Sequence, residues 1–418
     1  MRALKGLHTI NIKESKLMLI LISFDGVHYN DLKLTDLPNV QKIIKNGLFV
    51  KRLETVFPSV TWNIHTSVVT GQKPEKHRIY GNSVFNRDTN EGGNYSKMSL
   101  GPKEELVKVP TFYDKMALDG KKIAAVCWPL TQGAKNIDMN LPEFYTQEEF
   151  DNYSTKEFFD ELKGNGFNVD RYGEWSEKHS LGPLQDSLTA EIIEYIIKNK
   201  KADVILGHFL LYDSFQHDFG VGSPEALWAL RYVDSLIGRI MDTAEAEKIE
   251  NVNFMVFSDH GHSNIKYPFD FYKVLSDEGC ETECFKTANN GGSVLVYALE
   301  NCKSDIIEKA KDILKNHGAV DKIIDESNMN EVGWSVPDYY DKLFPSFIVA
   351  LKEDWCGAGD DGKLSMKSMH GYLPSTVERM NGFMASCGTH FEKGSNVDNM
   401  EITKIYDIAM DIYEKGEL

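Results

Sequence analysis

Leu17-Met18-Leu19-Ile20-Leu21-Ile22-Ser23-Phe24-Asp25-Gly26 is the first apolar stretch of the chain and points to its architecture. Its apolar run is continuous rather than alternating, so both faces must be buried, as in a strand inside a parallel sheet. The run ends on a carboxylate and a glycine. A helix is expected next, over 38–46, stopped by Gly47. Short apolar runs recur at 123–128, 204–211, 253–258 and 293–297 and read as strands. Helical patterns lie between and after them, at 112–118, 185–198, 224–246, 305–315 and 402–413. Alternation of this kind implies an α/β sandwich around a mainly parallel sheet. Such sheets gather their functional groups at the carboxyl ends of strands. Asp25, Asp213 and the pair Asp259-His260 each stand at the end of a predicted strand.

The chain has 418 residues, of which 42% are hydrophobic and 26% charged, an ordinary globular composition with ample material for a core. Its net charge of -17 opposes a nucleic-acid backbone, which excludes polymeric nucleic acid as a partner. An anionic substrate would need local attraction, and bound cations are the obvious source. The six cysteines, Cys127, Cys280, Cys284, Cys302, Cys356 and Cys387, form no CxxC. Cys280 and Cys284 are near each other in sequence, but scattered free thiols are expected. Residues 1–16 are mixed and polar, and the apolar run 17–22 is too short for a signal sequence and lacks a small-residue cleavage site. No stretch approaches the ~18 apolar residues of a membrane span, so a cytoplasmic protein is expected. The less regular, polar stretches 132–184 and 266–290 read as a cap or lid over the strand ends. The whole of 1–418 is read as a single domain with 132–184 as its cap insert.

Five motifs carry the chemistry. Asp213-Ser214-Phe215-Gln216-His217 places a carboxylate and an imidazole one helical turn apart, on one face. Alone, such a pair is commonly solvated surface. Asp259 and His260 are adjacent and diverge, which suits ligation from a loop, and Gly261 permits an unusual backbone. Asp25 alone reads equally well as a helix cap or turn former. Thr61 precedes a helical run at 62–70 with Gly71 as its stop. A hydroxyl there sits in the positive field of a helix N-terminus, although a plain threonine cap would also explain it. Met369-His370-Gly371-Tyr372 adds a further imidazole. Together these motifs supply three carboxylates, three imidazoles and a hydroxyl. That donor set suits two divalent cations and an alkoxide.

The ordered set resembles the nucleotide pyrophosphatase/phosphodiesterase family of the alkaline phosphatase superfamily, over essentially the whole chain from Leu19 to the final helix. The matching motifs are S-F-D-G at 23–26, F-P-S-x-T at 57–61, T-G-x-x-P-x-x-H at 70–77 and G-N at 81–82. W-P at 128–129, D-x-x-x-H-x-x-G at 213–220, S-D-H-G at 258–261 and H-G-Y at 370–372 complete it. The resemblance implies an alkaline phosphatase-like three-layer sandwich with a cap. It implies one metal held by Asp213, His217 and His370, and a second held by Asp25, Asp259 and His260 with Thr61. Asn82 and the Thr61 N–H would donate to a phosphoryl oxygen. Zinc is the expected metal, since mixed oxygen and nitrogen donors with open positions suit it; manganese and iron fit the same donors. The implied reaction is phosphodiester or nucleotide pyrophosphate hydrolysis through a phosphothreonine on Thr61, on a small-molecule substrate. Two divalent ions balance three aspartates and an alkoxide, and a near-neutral site matches a monoanionic diester better than a dianionic monoester.

The chain departs from the family pattern at several places. Trp62-Asn63-Ile64 stands where aromatic-Pro-Asn is usual, His262 where Met is common, Gln216 where Gly often precedes the ligand histidine, and Arg78 where Gly follows His77. Trp62 is a candidate substrate wall, with core packing the equal alternative. His28, His65 and His77 are read as structural. For His208, His262 and His390 no partner is evident. A phosphonate hydrolase of the same superfamily would place lysines after the 123–127 strand, where this chain reads Trp128-Pro129-Leu130-Thr131-Gln132. A phosphomonoesterase is a further alternative. A non-enzymatic metal-binding homologue would lack a ligand, and every ligand position is filled.

Overall fold

The computed structural model describes residues 17–97, 100–200, 202–359 and 361–416. The polar stretch 1–16, from which the absence of a signal sequence was read, lies outside them. An eight-stranded sheet forms the centre. Across it the strands run Ser395–Glu401, Gly47–Glu54, Gly382–Gly388, Val252–Phe257, Met18–Phe24, Val204–Phe209, Ile123–Trp128 and Met139–Pro142. Met18–Phe24 is parallel to both its neighbours. Gly382–Gly388 is antiparallel to the strands on its two sides, so the sheet is mainly but not wholly parallel.

All of Met18–Phe24 is buried, as its two-faced apolar run requires. The period-2 alternation of a strand sends Met18, Ile20, Ile22 and Phe24 to one core and Leu19 and Leu21 to the other. The first core is closed by helices Pro38–Lys45, Gly182–Tyr195 and Pro224–Ala246, the second by Thr61–Thr70, Phe112–Leu118 and Lys404–Gly416. Helix starts follow local chemistry. Ser223 accepts from the Ala226 N–H, and Thr111 and Asp114 form a reciprocal capping box.

The strand expected at 293–297 is present as Ser293–Ala298, but it lies outside the central sheet. It pairs antiparallel with Phe285–Asn289 in a separate four-stranded sheet. The short turn Asn290-Gly291-Gly292 between them leaves no room for the crossover that a parallel pairing needs. The same hairpin corrects the thiol expectation. Pairing of Phe285 with Ala298 brings the flanking residues together, and Cys284 and Cys302 form a disulfide across a separation of 18 residues. Cys127, Cys280, Cys356 and Cys387 are free. The 132–184 segment opens with the edge strand Met139–Pro142. Its Phe144, Phe150, Phe158, Leu162 and Tyr172 then join the first core. None of the described helices is long and apolar enough to cross a membrane.

Candidate active site

Three adjacent parallel strands deliver the acidic residues. Phe24 is in register with Phe209, and Ser23 with Phe257, so the segments that follow emerge side by side. The central strand of the three, Met18–Phe24, leads into Asp25, and Val252–Phe257 on one side leads into Asp259 and His260. Val204–Phe209 on the other side leads into helix Leu211–Phe219, which carries Asp213 and His217 one turn apart, with His217 Nε2 3.3 Å from Asp213 Oδ2. Gly26 has a φ of +76°, and a Cβ there would lie 3.0 Å from the Asp213 backbone. The side chain of Gln216, the residue found in place of a glycine, donates to the Gly26 carbonyl at 2.8 Å and ties the two segments together.

Thr61 opens helix Thr61–Thr70. Its Oγ1 lies 3.2 Å from His260 Nε2. The same nitrogen is 3.5 Å from Asp25 Oδ1 and 3.4 Å from Asp259 Oδ2. Both carboxylate oxygens are buried, and neither has a hydrogen-bond partner among the described residues. Buried anionic oxygens without partners are costly. Their convergence on one imidazole nitrogen and one hydroxyl fits a divalent cation.

A second group adjoins it. Donor atoms of Asp213, His217, His262 and His370 all lie within 4.8 Å of one another, and so do those of Asp25, Asp213 and His260. Asp213 belongs to both groups. His217 Nδ1 donates to the Ser368 carbonyl at 3.0 Å and His370 Nδ1 to the Ser59 carbonyl at 3.1 Å. Committing Nδ1 in this way aims the Nε2 lone pairs at the group, as is usual for metal-binding histidines.

The electrostatics separate the carboxylates. Burial, and then repulsion from Asp259 and Asp213, holds Asp25 well above the usual carboxylate range. Burial also opposes the charge on Asp213, but His217 and His262 outweigh it and hold that group well below. For Asp259 the opposing burial is outweighed by His260, His65 and His208. Burial, and then His260, holds His370 well below the ordinary imidazole value. Burial pushes His262 down to about 4.

Asn82 sits at the start of the Thr61 helix. Its Oδ1 accepts from the Trp62 N–H at 2.9 Å, which leaves Nδ2 as the donor available beside Thr61. Asn290 fixes this loop. Its Oδ1 accepts from the N–H groups of Asn82 and Ser83 at 2.8 and 3.0 Å, and its Nδ2 donates to the Ser83 carbonyl at 3.0 Å. The turn beyond Asn290 packs on the His370 segment. Gly371 has a φ of +93°, and a Cβ there would fall 1.9 Å from the Asn290 carbonyl oxygen. The Gly371 N–H and the His370 ring both bond to the Ser59 carbonyl, which joins the nucleophile loop to the ligand loop.

The structure therefore brings together Asp25, Thr61, Asn82, Asp213, His217, Asp259, His260 and His370. Trp62 is the exception. It is 1% exposed and stacks on Tyr95 at 6.0 Å within a core cluster, so it offers no wall to a substrate. His65 is structural, bonded to the Thr61 carbonyl and to Ser23 Oγ, both at 2.8 Å. His77 bonds to Ser67 Oγ, and Arg78 stacks on Tyr339. Sequence reasoning missed three contributors. His208 bridges Asp25 and Glu143, and Asn290 holds Asn82. A histidine inside the apolar run 204–211 was the available signal for the first, because a buried ring must find partners.

Known proteins resemble this chain in sequence and in fold. The family model for type I phosphodiesterase/nucleotide pyrophosphatase matches residues 19–373. Bis(5'-adenosyl)-triphosphatase ENPP4 of Homo sapiens is 23% identical over 400 residues and its counterpart in Mus musculus 33% over 396. Each alignment covers 94% of this chain and 77% of the relative. The structure of murine ectonucleotide pyrophosphatase/phosphodiesterase 5 superposes with a TM-score of 0.73 at 18% identity, over 95% of both chains. An inactive variant of that protein in complex with AMP superposes equally well, at 17% identity and 95% coverage of both chains. The fold is thus the alkaline phosphatase-like α/β sandwich, here in a hydrolase of phosphodiester and pyrophosphate bonds that carries candidate metal-binding groups. The chain belongs to the type I phosphodiesterase/nucleotide pyrophosphatase family.

Proposed function

We propose that the protein is a dinuclear metal phosphodiesterase or nucleotide pyrophosphatase that acts through a phosphothreonine on Thr61. The observation that carries this reading is the convergence of Thr61 Oγ1 and the unpartnered Asp25 Oδ1 and Asp259 Oδ2 on His260 Nε2, beside the Asp213 group. Asp213, His217 and His370 would hold one ion, and Asp25, Asp259 and His260 the other, with Thr61 as its further ligand. Zinc suits these donors best, with manganese and iron as alternatives. The ions supply positive charge that lowers the cost of an alkoxide and neutralises phosphoryl oxygens.

The chain's own groups do the rest. Thr61 Oγ1, its proton released to solvent, bonds to phosphorus as the bond from phosphorus to the leaving oxygen breaks on the opposite side, and that oxygen takes a proton from solvent where its basicity requires one. Water then attacks the phosphothreonine and frees Thr61. Two inversions give overall retention at phosphorus. Asn82 Nδ2 and the Thr61 N–H, at the positive end of helix Thr61–Thr70, donate to a non-bridging oxygen. The 132–184 segment acts as the cap that selects the leaving group. Two of its residues reach the site: Glu143 bonds to His208, and the His179 ring stacks on His217 at 6.2 Å. A small nucleotide substrate is favoured by likeness to a triphosphatase of bis-adenosyl compounds and to a structure that holds AMP.

The test is steady-state hydrolysis of a nitrophenyl nucleotide diester beside nitrophenyl phosphate, with zinc supplied. A large preference for the diester is expected. A preference for the monoester, or no turnover of either, would overturn the reading.

A further inference from the structure

His262 has no role in the scheme above, yet it is fully buried against it. Its Nδ1 lies 3.0 Å from Ser368 Oγ, and that hydroxyl already donates to the Gln216 carbonyl at 2.6 Å. Ser368 Oγ must therefore accept, so the proton of the neutral ring sits on His262 Nδ1. The unprotonated Nε2 then faces Asp213 Oδ1 at 2.5 Å. A lone pair facing an anionic oxygen in a buried site is repulsive unless a cation lies beside them both. His217 and His370 have the same orientation, with Nδ1 bonded to a carbonyl and Nε2 turned towards Asp213 at 3.3 and 3.9 Å. The three rings pack as one group, His262 lying 4.6 Å from His217 and 5.1 Å from His370 between centroids.

We propose that His262 Nε2 is a fourth protein donor to the divalent ion held by Asp213, His217 and His370. The inference rests on the metal reading above and refines it. Three imidazoles and one carboxylate would then give that ion four protein donors. The site should hold its ion more tightly than a three-donor site would.

The test uses Co2+ and Zn2+ on the intact chain. Zinc X-ray absorption of the wild-type protein counts imidazole scatterers directly, with four histidines expected over two ions (His217, His260, His262 and His370) rather than three. The visible spectrum of the Co2+ form should change in His262→Met and His262→Gln, because one of the two ions loses a nitrogen donor. A chelator should remove that ion about 10–100-fold more readily. A spectrum per bound ion identical to wild type, even with weaker binding, would mean that His262 only hydrogen-bonds Asp213, and the proposal would fall. A wild-type count of three imidazoles would sink it without any variant. If wild-type protein binds neither Co2+ nor Zn2+, the metal reading itself fails.

Discussion

His208 and Asp25 are joined through His208 Nε2, 3.0 Å from Asp25 Oδ2, while His208 Nδ1 lies 3.1 Å from Glu143 Oε2. A ring that donates to two carboxylates carries both protons. Burial opposes that charge, but the hydrogen bonds to Asp25 and Glu143 hold the imidazole well above its ordinary pKa. The bridge holds Asp25 with Oδ1 facing His260. His208→Leu should strand both carboxylates, at about 3–5 kcal/mol of stability for a broken buried pair. It should also loosen the Asp25 metal site about 10–100-fold. Glu143→Gln, which keeps an acceptor for Nδ1, should cost less on both counts. Thermal unfolding and metal content per chain check this, and a His208→Leu protein with wild-type values for both would refute the bridge.

Thr61→Ala removes the only hydroxyl beside His260 Nε2 among the site residues, so turnover should fall to background. Metal content should remain near that of wild type, because Asp25, Asp259 and His260 stay in place. Thr61→Ser keeps the oxygen but loses the β-branch that restricts χ1, and should retain partial activity. Diester turnover, together with metal analysis, decides the matter. Steady turnover by a fully metallated Thr61→Ala protein would remove the covalent mechanism.

Much of this was legible in the sequence for a physical reason. Asp25, Asp213 and Asp259 each end or follow a run buried on both faces, and parallel sheets expose such ends together. The Asp213–His217 spacing needed only the local helix that formed. The rest depended on contacts between distant segments. His208 meets Glu143 across 65 residues, through a stretch with no clear periodicity. Asn290 meets Asn82 across 208 residues, and only once an antiparallel hairpin outside the main sheet has set the Asn290 turn in place. The strand at 293–298 was readable as a strand, but strand pattern does not specify the partner. Trp62 illustrates the converse. An aromatic at a helix start has the same local pattern whether it lines a site or, as here, stacks on Tyr95.

Asn82→Ala removes two things, a cap on the Trp62 N–H and a donor towards phosphate. The cap is worth about 1 kcal/mol of stability. The donor, if it acts on the transition state, is worth roughly 10²–10³ in kcat. Asn290→Ala leaves Asn82 chemically intact but frees its loop, so it should lower kcat less than Asn82→Ala while costing more stability. Loss of the two N–H partners at Asn82 and Ser83 accounts for that cost. Kinetics and thermal melts of both variants separate the two roles. An unchanged kcat in Asn82→Ala would remove its part in phosphoryl binding.

Asp186 offers a test in the pH dependence of stability. Its two carboxylate oxygens accept from the N–H groups of Leu210 and Leu211, each at 3.1 Å, where the helix that carries Asp213 and His217 begins. The residue is completely buried, and burial pushes its pKa up to about 7 against 3.8 for an ordinary aspartate. The two N–H bonds and His208 pull the other way without offsetting it. Between those values the folded chain keeps a proton that the unfolded chain has released. Stability from this group is therefore greatest at low pH, falls as pH rises from about 4 to about 7, and is level above. Asp186→Asn does not titrate and keeps one of the two acceptors. Measured on metal-free protein, so that metal binding does not enter, the stability of wild type relative to Asp186→Asn should decline across that window. Denaturation midpoints of the two proteins at several pH values read the difference directly. Parallel profiles would show that Asp186 is already ionised in the fold, with the helix N-terminus outweighing its burial.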